Sequence, residues 1–84
     1  MADRLTEKTD EYERLLAEAI EETDLAGAGA GGADCLEMAT AYLEDGKYFQ
    51  REDDLPNALA SFAYGHGWLD AGIRIGVLVA DEEY

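Results

Sequence analysis

The chain has 84 residues, enough for one small domain in which only about 60% of the unfolded chain's surface becomes buried. Twenty acidic residues against six basic ones give a net charge of −14, with Arg4, Lys8, Arg14, Lys47, Arg51 and Arg74 dispersed, so no basic cluster exists to bind nucleic acid or an anionic membrane. One cysteine and one histidine exclude an internal disulfide and the usual zinc ligand sets, and no cofactor is expected.

Charge of this size stresses a small fold by self-repulsion, which salt relieves by shortening the Debye length to about 3 Å at 1 M. The composition therefore reads as that of an extreme halophile's protein, the other reading being an acidic protein of ordinary salt. The start MADRLTEKTDEYER is charged from its third residue, so no signal peptide is expected and a cytoplasmic location follows.

From about Asp3 to Asp24, strong helix formers place Leu5, Tyr12, Leu15, Leu16, Ala19 and Ile20 on one face, which predicts a surface helix with one buried stripe. Its charged faces read as solvated surface. The stretch from Leu25 to Ala33, LAGAGAGGA, then reads as a flexible connector, with the linker at about 26–33 inside a single domain of residues 1–84. It lacks the following Lys-Ser/Thr of a phosphate-cradling loop.

A second helix is expected from Asp34, where D-C-L-E resembles a capping box, to about Gln50, with Cys35, Met38, Ala39, Tyr42, Gly46 and Phe49 on one side. Cys35 reads as a small buried hydrophobe. After a short acidic turn, Asp53 or Asp54 followed by Pro56 marks the start of a third helix running to about Val79. The acidic tail Asp81-Glu82-Glu83-Tyr84 is expected to fray.

The third helix is apolar nearly all round. One arc collects Ala58, Phe62, Gly65, His66, Leu69, Gly72, Ile73 and Gly76, and the opposite side collects Ala60, Tyr64, Gly67, Trp68, Ala71, Ile75 and Leu78. Gly65, Gly72 and Gly76 are expected to permit close packing. Asp70 and Arg74 would each cost about 2.5–3.5 kcal/mol within a bilayer, so a buried soluble helix is preferred to a membrane span. No strand is predicted, and the expected fold is an all-α three-helix bundle with an antiparallel hairpin of the second and third helices around a long central third helix.

Two resemblances arise here. The spacing of Tyr42, Gly46, Phe49, Ala58, Phe62 and Gly65 is similar to one tetratricopeptide repeat, which implies a helical hairpin. A fuller match is to the archaeal family catalogued as domain of unknown function 357, with its Y-x-x-D-A-x-Y-F, G-D-x-x-x-A-L-A and S-Y-A-x-G-x-L-D-A segments. They stand here as Tyr42 to Phe49, Glu52 to Ala60 and Phe62 to Gly72, with Gly46, Glu52 and Phe62-Ala63 as departures. The resemblance implies a small helical bundle in an archaeon and carries no activity.

Two functions from different classes remain. The first is a protein-interaction or self-association module, with Tyr64, Trp68 and Ile75 as its contact residues and another protein or a second copy as partner. The second is a small-molecule-binding or hydrolytic protein in which Asp70 orients His66, one helical turn away, with Tyr48, Tyr64 and Asp45 as nearby polar groups. No nucleophile or metal set accompanies that pair, and an apolar arc more often holds a core histidine.

Overall fold

The computed structural model describes residues 3–27 and 29–80. Helix α1 spans Arg4–Glu21, α2 spans Gly31–Arg51 and α3 spans Leu55–Arg74. The fold is the expected all-α bundle of three helices, with α2 and α3 packed closely as an antiparallel hairpin and α1 lying mainly against α3. Residues 81–84, where the acidic tail was expected to fray, lie outside the described residues.

One addition was not anticipated. Strands β1 (Thr23–Leu25) and β2 (Leu78–Ala80) pair antiparallel, with Thr23 opposite Ala80 and Leu25 opposite Leu78. The ribbon ties the end of α1 to the end of α3, and the Ala26 N–H donates to the Val77 carbonyl to extend it. Strands this short carry too little alternation to be read from sequence. Their pairing depends on two segments about fifty residues apart being delivered to one place.

The helix ends explain the other shifted boundaries. Helix α2 begins three residues before the expected Asp34 cap; its N-cap is Ala30, which makes no side-chain capping bond. Gly31 and Gly32 form its first turn because the ribbon packs there. A side chain at Gly32 would meet the Val77 carbonyl and, at 3.1 Å, the Leu25 side chain. The last part of the glycine-rich stretch is thus helix under a tertiary contact, where a missing Cβ lets backbones approach.

Helix α2 ends in a Schellman arrangement. The Asp53 N–H donates to Gln50 O, the Asp54 N–H to Phe49 O, and Asp53 takes the left-handed conformation at φ +59°. Asp54 then caps α3 by accepting from the Asn57 N–H at 3.3 Å, with Pro56 in the first turn. The same device stops α3 at Arg74, short of the expected Val79. The Gly76 N–H donates to Ile73 O, the Val77 N–H to Gly72 O, and Gly76 has φ +88°.

The core consists of Leu16, Cys35, Ala39, Leu43, Ala58, Phe62, Leu69 and Leu78. Large side chains fill sites left by glycines of a facing helix. Phe62 lies over Gly46, Leu16 lies against Gly65, and Leu78 lies against Gly72 beside Cys35. Leu78, assigned from the helical wheel to the outward stripe, is only 2% exposed. Once the chain leaves the helix at Gly76, the 100° rotation per residue no longer applies and β2 turns Leu78 inward. Buried polar groups are served locally, as where the Thr9 hydroxyl donates to Leu5 O at 2.7 Å.

Candidate functional site

The Cα trace measures 47 × 27 × 16 Å, a slab with little depth in its smallest dimension. Helix α3 packs against both α2 and α1. Its inner side carries buried Ala58, Ser61, Phe62, Gly65, Leu69 and Gly72. Its outer side is open: Tyr64 is 64% exposed and Trp68 37%. Trp68 does not line the cleft that α3 forms with α1.

Tyr64, Gly67, Trp68 and Ala71 line a shallow groove of about 350 Å³ along this outer side. Tyr64 also meets Tyr42 of α2, ring centroids 5.7 Å apart, so the groove is bordered by the hairpin partner helix. Gly67 is mid-helix, and a Cβ built on it would meet nothing within 4 Å. Ile75, grouped with these residues on the wheel, is the C-cap of α3 and is 71% exposed.

His66 and Asp70 lie elsewhere, in a cleft of about 470 Å³ between α3 and α1 that Lys8, Glu11, Tyr12, Leu15 and Ala63 complete. His66 is half-buried and packs edge-on against Tyr12, ring centroids 6.4 Å apart. Among the described residues no hydrogen bond or ion pair joins His66 to Asp70; the cleft's ion pair is Lys8 with Glu11 at 4.0 Å. The two share a cleft without forming an oriented dyad. Tyr48 and Asp45 are exposed residues of α2 and do not line this cleft. Among the described residues no cluster of three His, Cys, Asp or Glu side chains could hold a metal ion, and no helix is long and apolar enough to cross a membrane.

Of the three glycines read as close-packing, Gly65 and Gly72 sit where a side chain would collide with Leu16 and Leu78. Gly76 does something else, ending α3 as described above. Its signal was present in the sequence: Arg74 in a last turn, glycine two residues later, then apolar Val77. Gly67 lies on the side that the wheel placed outward, in the floor of the groove.

A family model for proteins of unknown function, DUF357, matches residues 11–78, from within α1 through the first residue of β2. The chain belongs to the DUF357 family. The match covers all of α2 and α3, so both the groove and His66 with Asp70 fall inside the DUF357 region. No curated protein and no solved structure matches the chain.

Proposed function

We propose that this DUF357 protein is a protein-interaction module that receives an apolar helix on the outward side of α3. One observation carries the reading: Tyr64 and Trp68 flank an open groove on the most apolar helix of the chain, and among the described residues no other helix lines it. Aromatic side chains beside a groove are the usual anchors of helix-in-groove recognition. The acidic composition supports placing the module in a high-salt archaeal cytosol.

Trp68 is the chain's one tryptophan, so its emission reports directly on the groove. Titration with a tryptophan-free amphipathic helical peptide of neutral flanks, or with the protein itself, is expected to shift that emission to the blue. Trp68→Glu is expected to keep the helical circular dichroism and abolish association observed by sedimentation, because a buried interface aromatic contributes about 2 kcal/mol or more. Emission unchanged by peptides and by protein concentration would overturn the proposal.

The α1–α3 cleft supports a second reading, small-molecule binding beside His66 and Asp70, drawn from its volume of about 470 Å³ and its Tyr12–His66 ring pair. His66→Ala with ligand screening by thermal shift tests it separately. A set of stabilising compounds that act equally on the wild type and on His66→Ala would remove it.

A further inference from the structure

Resting on the reading of the α3 groove as a docking surface, we infer that its occupant is a helix of another protein whose apolar stripe is bordered by Lys and Arg. The floor of the groove is uncharged, formed by Tyr64, Gly67, Trp68 and Ala71. Its α2 border is acidic. On the α2 side, Asp34, Met38, Tyr42 and Asp45 follow one line at helical spacing; Tyr42 touches Tyr64, and both aspartates are exposed. On the other side stands Asp70 of α3, with Glu11 of α1 beyond it across the neighbouring cleft. Each of these acids has a base beside it, Lys8 within 4.0 Å of Glu11 and Arg74 in one shallow pocket with Asp70, so this side is balanced in charge.

Charge complementarity therefore selects the partner. A second copy would bring another chain of charge −14 against this one, whereas a basic-flanked helix forms ion pairs with the Asp34 and Asp45 border while its apolar stripe covers the tyrosine and tryptophan. The groove residues, from Tyr64 to Ala71, extend about 11 Å along α3, two turns of a partner helix. At high salt the apolar contact supplies nearly all of the affinity, and the acidic border discriminates among partners chiefly as the salt is lowered.

The test uses the full chain and three tryptophan-free peptides of about 20 residues, sharing one Leu/Ala stripe and carrying Lys, Gln or Glu on the flanks. Trp68 emission is followed at about 0.1 M and about 1 M KCl. The Lys peptide is expected to shift the emission to the blue and to bind about tenfold or more tighter than the Glu peptide at the lower salt, with the gap shrinking at the higher. Asp34→Asn with Asp45→Asn is expected to narrow the Lys-over-Gln advantage by about two- to fivefold without changing the melting temperature.

Equal binding of the Lys and Gln peptides would overturn the charge inference while leaving the groove a docking site. Emission and sedimenting mass that change with protein concentration alone would also overturn it, by making a second copy the occupant. Binding of the Lys peptide that leaves Trp68 emission unmoved would place the contact elsewhere on the acidic surface and sink the inference. If no peptide moves the emission and the chain stays monomeric, the docking reading itself fails, and this inference with it.

Discussion

Gly46 and Gly67 are the same residue in two helices with opposite consequences. At Gly46 an added methyl group would fall within the Phe62 ring, in the centre of the core. Gly46→Ala is expected to destabilise the fold by about 1–3 kcal/mol, the usual effect of overpacking, measured by urea unfolding. At Gly67 the space is empty and the backbone helical. Gly67→Ala is expected to stabilise the free protein by about 0.8–1 kcal/mol, raising the melting temperature by roughly 4–8 °C per kcal/mol, and to weaken docking in the groove. A Gly67→Ala protein no more stable than wild type would show that something in the chain already uses that space. Periodicity placed Gly46 on the apolar side of α2 and Gly67 opposite the core arc of α3, but a helical wheel shows which side a residue faces and not whether a neighbour is there.

The elements are set chiefly by their ends. At the start of α1 the Thr6 N–H donates to Asp3 at 2.8 Å, and that backbone bond holds the exposed Asp3 carboxyl below its ordinary value of 3.8. A lowered folded-state value means that the capping contribution is fully present above about pH 3.8 and is lost as pH falls below it through the folded value. The Thr6 amide resonance is expected to titrate in that acid range in the wild type. In Asp3→Asn, which retains a capping oxygen without the ionisation, this dependence should disappear. A Thr6 shift that titrates equally in both would reject the cap assignment.

At the other end of the chain, Leu78 is buried over Gly72 although it lies in a strand of only three residues. Leu78→Ala is expected to cost about 2–3 kcal/mol as a core cavity. A change no larger than that of an exposed residue would mean that the ribbon contributes nothing to the core. Gly76 carried a legible stop signal for α3. The start of α2 did not, because the contact of Gly31 and Gly32 with Val77 depends on residues nearly fifty positions away.

On the scale of the whole molecule, charge and shape act together. Twenty acidic side chains on 84 residues repel one another across a slab 16 Å deep, a dimension comparable to the Debye length of about 30 Å at 0.01 M and well above the 3 Å at 1 M. Dilution from about 1 M to about 50 mM KCl is therefore expected to lower the melting temperature, followed by circular dichroism at 222 nm or by Trp68 emission. A melting temperature independent of salt would remove the argument for a high-salt habitat. The ion pairs seen, Lys8 with Glu11 and Arg14 with Glu18, are exposed neighbours within α1 and do little to offset the repulsion.

What the sequence determined by itself was the helical class, the α2–α3 hairpin, a start of α3 at Asp53 or Asp54 before Pro56, and the apolar surplus of that helix. Each follows from local rules of periodicity, capping and side-chain type that act within a few residues. The tertiary structure alone decided that β1 and β2 pair, that α2 begins at Gly31, that Leu78 faces inward, and that the outer side of α3 is left open while His66 and Asp70 meet α1 in a separate cleft. Those outcomes depend on which surfaces remain after distant segments have packed, and a helix that is apolar all round is equally compatible with having either side covered.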